Sequence, residues 1–313
     1  MNDRLRPHSA GAKQAEDDRK EKLVVTYQTA QVDGVSVFYR EAGDPANPTL
    51  LLLHGFPTSS VMFRSLMPAL ADELHLVAPD YPGFGQSEFP SPERFEYSFA
   101  NLTRVVEGFI DELGLERFSI YIQDYGAPIG LSIASARPER IEAIITQNGN
   151  AYLEGFTPFW EPLFAFATER NPETEAKVRP LLERDATEWQ WTHGTRDARS
   201  VPPDTWTLDN YFLERPGNKD VQIELFHDYR LNLDKYPAFQ QYFREHRPPM
   251  LIVWGKNDEI FGPDGARAYL KDLPDSELHL LDTGHFALEE DLEFIAARIR
   301  DLVGRNGQGR NAS

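Results

Sequence analysis

The chain contains no cysteine among its 313 residues. Disulfides, thiolate metal sites and cysteine nucleophiles are therefore excluded. It also lacks any cationic excess: 32 Lys and Arg stand against 50 Asp and Glu, a formal net charge of -18. Such a surface repels a phosphate backbone and an anionic bilayer, which argues against nucleic-acid and peripheral membrane roles. No stretch approaches the ~18 consecutive apolar residues of a membrane span. The polar, mixed-charge start, Met1 to Lys22, has no apolar h-region of a secretory signal. It reads as a disordered tail, residues 305–313 read as another, and the protein reads as cytoplasmic. Nothing in the sequence separates a monomer from a homodimer.

What is present suffices for one large core with an insertion, since 41% of residues are hydrophobic. Two alternating segments, around Leu23 to Tyr27 and Val35 to Tyr39, flank the turn signal Asp33-Gly34 as in a hairpin. Short apolar runs then alternate with helical periodicity. The runs lie at Leu50 to Leu53, Leu74 to Ala78, Phe118 to Ile122, Ala143 to Ile145, Met250 to Trp254 and Leu278 to Leu281. Between them, Phe63, Leu66, Met67 and Leu70 recur at helical spacing, as do Leu102, Val105, Val106, Phe109, Ile110 and Leu113, and later Leu288, Leu292, Ile295, Ile299 and Leu302. Strand–helix alternation predicts an α/β fold with a mostly parallel sheet covered on both faces. The core spans 23–150 and 247–304. Residues 151–246 break the alternation. They hold Trp160, Trp189, Trp191 and Trp206, four of the five tryptophans, show no clear strands, and read as a helical cap over the C-terminal edge of the sheet, where such sheets bind ligands. Most cap aromatics are packing residues. Trp160, Trp189, Trp191 and Phe286 are the candidates for a pocket.

Three residues stand at the ends of predicted strands. Asp124 follows the run Phe118 to Ile122 and precedes a small-residue helix beginning Gly126-Ala127-Pro128, a strand–turn–helix elbow with a carboxylate at its apex. Asp258 follows Met250 to Trp254, and His285 follows Leu278 to Leu281. Strand C-termini meet on one edge of a parallel sheet, so the three can converge. A lone strand-end aspartate is commonly a cap or a turn former, and Asp80 is read that way. Glu259 is an adjacent alternative acid. Asn148, at another strand end, cannot carry a charge, which favours Asp258. In His54-Gly55-Phe56-Pro57 a backbone N–H of Phe56, with that of Tyr125, would form an oxyanion hole. His54 itself reads as a brace for this loop.

In this order of nucleophile, acid and histidine, and in the segment Ala78 to Ser87, the chain resembles the α/β-hydrolase superfamily over nearly all of residues 23–304. The Gly-Phe-Gly at 83–85 is not a nucleotide fingerprint, because the third glycine is absent and Glu88 would face a phosphate. An aspartate at the elbow is similar to the epoxide hydrolases and the haloalkane and haloacetate dehalogenases. One departure is Ile122, where many elbows carry glycine. The resemblance implies that Asp124, ionised at neutral pH from its reference pKa of ~3.9, displaces a leaving group from carbon. His285, oriented by Asp258, then activates water against the resulting ester. No cofactor or metal is required, and the partners are a small hydrophobic organic substrate and water.

The leaving group separates the relatives. Haloalkane dehalogenases usually hold halide with a tryptophan after the nucleophile and a polar residue after His-Gly, where this chain has Tyr125 and Phe56. Haloacetate dehalogenases place an arginine where Tyr125 stands. Epoxide hydrolases resemble it more closely, with His-Gly-aromatic-Pro and a cap Tyr-Arg pair that protonates the epoxide oxygen. Here Tyr229-Arg230 lies 29 residues before Asp258 (258 − 229). The expectation is an epoxide hydrolase with Tyr229 as proton donor and Tyr211, ahead of Tyr152, as a second. Trp189 or Trp191 as halide donors would make it a haloalkane dehalogenase. A ligand-binding protein with hydrolysis lost is opposed by the intact triad.

Overall fold

The computed structural model describes residues 24–308, so the tail assigned to 1–22 lies outside the described residues. The strands are β1 (Thr26–Val32), β2 (Val35–Ala42), β3 (Thr49–Leu53), β4 (His75–Pro79), β5 (Phe118–Gln123), β6 (Ile141–Gln147), β7 (Met250–Gly255) and β8 (Glu277–Leu281). They form one sheet in the order β1-β2-β4-β3-β5-β6-β7-β8. β1–β2 and β2–β4 are antiparallel and the remaining neighbours parallel. The β1–β2 hairpin turns at Asp33 and Gly34, both with positive φ (50° and 80°), as a two-residue turn matched to strand twist requires. Every apolar run named above falls in a parallel strand or in β4.

The core helices are α1 (Leu66–Leu70), α2 (Phe99–Glu112) and α3 (Gly126–Ala136), followed after β6 by α4 (Glu161–Thr168), α5 (Pro172–Val178), α6 (Arg184–Thr192), α7 (Asp204–Leu213), α8 (Asn218–Asp228), α9 (Arg230–Leu233) and α10 (Tyr236–His246). After β7 come α11 (Pro263–Ala268) and α12 (Leu288–Gln308). Alternate strand residues feed opposite layers. Leu51, Leu53, Ile120, Ile122, Ile144 and Ile252 pack with Val105, Phe109, Ile129 and Ile133. Leu50, Leu52, Tyr121, Ile145, Leu251 and Val253 pack with Leu66, Met67, Ile295 and Ile299. Burial on both faces explains why these strands read as continuous apolar runs. α12 runs to Gln308, so the predicted tail does not begin at 305; the helix continues past its last periodic apolar position, and polarity alone did not stop it.

Between β6 and β7 the described residues form helices and short 3₁₀ turns, with an isolated bridge from Phe156 to Phe261. Polar bonds tie this segment to the sheet's C-terminal edge. Trp160 Nε1 donates to the Ile260 carbonyl at 2.8 Å, Asn218 Nδ2 donates to the Gly83 carbonyl at 3.2 Å, and Asp228 Oδ2 accepts the Phe99 N–H at 2.7 Å.

Candidate active site

β5 delivers Asp124 to the C-terminal edge of the sheet. Its backbone takes positive φ (49°), a conformation that costs a non-glycine residue energy and persists only where the surroundings enforce it. The enforcement is close packing. A Cβ at Gly126 would lie 2.2 Å from the Leu53 carbonyl oxygen, so α3 starts against β3 with no room for a side chain. Ile122, the departure from the usual elbow, is accommodated by Gly130, where a Cβ would meet Ile122 Cγ2 at 2.6 Å. The missing side chain one turn into α3 makes the room that a glycine at 122 would have made.

Asp124 is buried, and its Oδ1 accepts the Phe56 N–H at 2.7 Å. The Tyr125 N–H also bonds the carboxylate. Burial pushes the Asp124 carboxyl above its usual range, while His285 and these two N–H groups oppose the shift. His285 Nδ1 lies 2.8 Å from Asp258 Oδ2, both side chains being almost wholly enclosed. Asp258 also accepts the Ile260 N–H on Oδ1 at 2.7 Å and the Asn148 amide on Oδ2 at 2.7 Å. A carboxylate so bonded draws the imidazole proton to Nδ1 and leaves the Nε2 lone pair for a proton donor. Burial pushes the His285 pKa down, but the charges of Asp258 and Asp124 outweigh it and the net shift is upward.

Two glutamines complete the surroundings, and sequence reasoning missed both. Gln147 Nε2 donates to the His285 carbonyl at 3.0 Å and fixes the loop. Gln123 Nε2 stands 2.6 Å from His285 Nε2, and Gln123 Oε1 is buried without a partner. Their only signal was a long amide side chain at the end of each central strand.

His54 is the expected brace. It stacks on Tyr81 with ring centroids 4.0 Å apart, contacts the Gly55 carbonyl through Nδ1 at 3.0 Å and accepts the Tyr81 N–H on Nε2. Burial pushes its pKa down to about 4, so it stays neutral. Asp80 is the expected turn former, accepting the N–H groups of Ser60 and Gln86 at 2.7 Å each. Glu259 points away from the triad to His193, 3.1 Å distant.

A cavity of about 30 Å³ opens above Asp124. Phe56, Tyr125, Trp160, Phe226, Tyr229 and Ile260 are among its walls. Tyr229 is buried, and its hydroxyl bonds that of Tyr236; burial and the nearby Asp124 charge push both phenols well up. Tyr236 Oη also accepts the Asn150 amide at 3.4 Å. Five expectations need correction. Tyr211 is 70% exposed on α7, and Tyr152 bonds Asp272 at 2.7 Å away from the cavity. Trp191 and Phe286 do not line the cavity but stack on one another, centroids 3.7 Å apart. Trp189 stacks between Phe159 and His193 and lines not the cavity but an adjoining narrow cleft, with Gln190, Asp258 and His285. The tyrosine that does join Tyr229, which lies between α8 and α9, is Tyr236, the first residue of α10.

Residues 48–292 match the model of the alpha/beta hydrolase fold family. The chain belongs to the α/β-hydrolase fold family. Within it, the chain is 44% identical over 289 residues to an uncharacterized hydrolase, YNR064C, of Saccharomyces cerevisiae, covering 91% of this chain and 99% of that protein. It is 30% identical over 266 residues to haloalkane dehalogenase 2 of Mycobacterium tuberculosis H37Rv, covering 82% and 88%. Among solved α/β-hydrolase folds, the epoxide hydrolase CorEH superimposes with a TM-score of 0.74 at 18% identity, covering 90% of this chain and 99% of that one. No described helix is long and apolar enough to cross a membrane.

Proposed function

We propose that the protein is a hydrolase that opens epoxides to vicinal diols through an ester on Asp124, with residues 151–246 serving as the cap that closes the site. The observation that carries this reading is the pair of bonded phenols, Tyr229 and Tyr236, in the electric field of Asp124. A carboxylate opposite a proton donor is what an epoxide needs. Asp124 attacks one ring carbon, the C–O bond breaks, and Tyr229 gives its proton to the departing oxygen, with Tyr236 bonded behind it. The product is a hydroxyalkyl ester and a phenolate. Water then adds to the ester carbonyl while His285 takes its proton. The oxyanion falls to the N–H groups of Phe56 and Tyr125, which already hold the carboxylate. Collapse releases the diol, protonated by the imidazolium, and the Asp124 carboxyl returns its proton to the phenolate.

One observation favours haloalkane hydrolysis as a second reading. The Tyr125 hydroxyl is buried without a partner, and Tyr125 lines the cavity, so it offers a free donor to a leaving halide. Incubation with an epoxide and a bromoalkane separates the two, diol formation supporting the first and bromide release the second. Intact mass of His285→Gln under turnover tests the shared mechanism: the variant gains the mass of the substrate, and a variant that never does so removes the covalent step. Tyr229→Phe slows epoxide opening by at least about 10²-fold and bromide release far less. Equal losses would remove Tyr229 as the acid.

A further inference from the structure

We infer that the substrate is a short, uncharged epoxide bearing a hydroxyl group, and that Gln190 is the residue that selects it; this rests on the epoxide reading above. Among the described residues, Asp124 is the one charged side chain that lines the cavity, and no Lys or Arg lines it. A carboxylated substrate would meet the Asp124 charge with nothing to offset it. The walls are otherwise apolar or aromatic, and the Trp160 N–H is already given to Ile260.

Besides the Tyr125 hydroxyl, which can donate beside Asp124, Gln190, on α6, is the polar exception. It is 4% exposed, lines the cavity, and its amide has no hydrogen-bond partner among the described residues. An amide that reaches a cavity with no protein partner is free to bond a ligand atom. An amide both donates and accepts, and a hydroxyl does the same, so an alcohol satisfies it better than an ether or a halogen. Gln190 also borders the narrow cleft lined by Asp258 and His285, which sets it apart from Tyr229 and leaves the phenol free for the ring oxygen. The cavity, about 30 Å³, is small, which favours short epoxides.

Glycidol and butylene oxide are close in size and differ in the hydroxyl. The full-length wild type is expected to prefer glycidol in kcat/KM by about tenfold or more, and to leave glycidate unopened. In Gln190→Leu the preference falls to near unity while butylene oxide is hydrolysed within about threefold of the wild-type rate. Gln190→Met keeps the side-chain length and serves as a second variant if the first unfolds. An unchanged glycidol preference in a folded variant overturns the inference alone, as does an equal loss for both epoxides, which would make Gln190 a support for the hydrolytic water. Turnover of neither epoxide by the wild type, with no adduct on His285→Gln, overturns the inference together with the reading beneath it.

Discussion

The Asn148 amide donates to Asp258 Oδ2 across 2.7 Å, and the same oxygen faces His285 Nδ1 at 2.8 Å. Asn148 Oδ1 in turn accepts the Gly255 N–H at 2.9 Å, so the end of β7 fixes which way the amide points. The residue that cannot itself carry a charge thus holds Asp258 in place. Asn148→Leu is expected to slow hydrolysis of the ester by about 10-fold to 100-fold, the worth of a hydrogen bond to a charged group, and to leave the rate of ester formation within about twofold. Rapid-quench kinetics would show a retained burst with a slower steady state. Equal slowing of both phases would contradict a role confined to the acid.

The proton balance at His285 sets the pH dependence. In the proposed mechanism neutral His285 is the base, so activity falls as pH drops through its pKa, which the carboxylates of Asp258 and Asp124 hold above the ordinary value. An ester on Asp124, as proposed, removes its charge, so the limb for ester hydrolysis is expected to lie lower than the titration of His285 in the free enzyme. The Gln123 amide, 2.6 Å from Nε2, donates to the lone pair of the neutral ring. A carboxylate there would favour the imidazolium instead. Gln123→Glu is expected to move the acidic limb of the pH–rate profile upward by about one unit or more. A limb that stays in place would show that the contact has no electrostatic weight.

A second buried acid makes stability depend on pH. Asp209, on α7, is 1% exposed; its Oδ2 accepts the Trp191 N–H at 2.8 Å and its Oδ1 has no partner. Burial pushes its pKa up to about 7 against the opposing Trp191 bond. The folded pKa exceeds the unfolded one, so between about pH 4 and pH 7 the unfolded chain has released this proton and the folded chain has not. Stability therefore falls as pH rises through that window, by an amount on the order of 4 kcal/mol. Asp209→Asn keeps an acceptor for Trp191 and should remove this slope. Urea midpoints at pH 5 and pH 8 would check it, and parallel shifts in wild type and variant would exclude Asp209 as the source.

The exchange of space between Ile122 and Gly130 is testable by substitution. A methyl group at 130 would lie within 2.6 Å of Ile122 Cγ2. Gly130→Ala is expected to destabilise by about 1–3 kcal/mol through overpacking, despite alanine's higher helix propensity. Shortening Ile122 to Val should offset part of that loss. Thermal or urea unfolding of the two single variants and the double variant gives the coupling, and additive effects would mean that the side chains do not compete for the space.

Much of this architecture was readable in the linear chain, for a physical reason. A parallel sheet buries its strands on both faces, so each strand is a short apolar run, and the residues just past those runs must gather on one edge. Asp124, Asp258 and His285 were therefore identifiable as neighbours from position alone, and the turn at Asp124 from the strand–helix junction around it. The His54 brace and the Asp80 turn were readable for the same local reasons. Tertiary packing decided which face of the helices between β6 and β7 looks into the cavity, because ring contacts with Phe56, Phe99, Tyr125 and Phe261, distant in sequence, hold Phe226, Tyr229 and Trp160 in place. Tyr211 turned outward and Tyr236 inward. On α6 one residue, a rotation of about 100°, separates Trp191, stacked on Phe286, from Gln190, whose unpaired amide lines the cavity over Asp124.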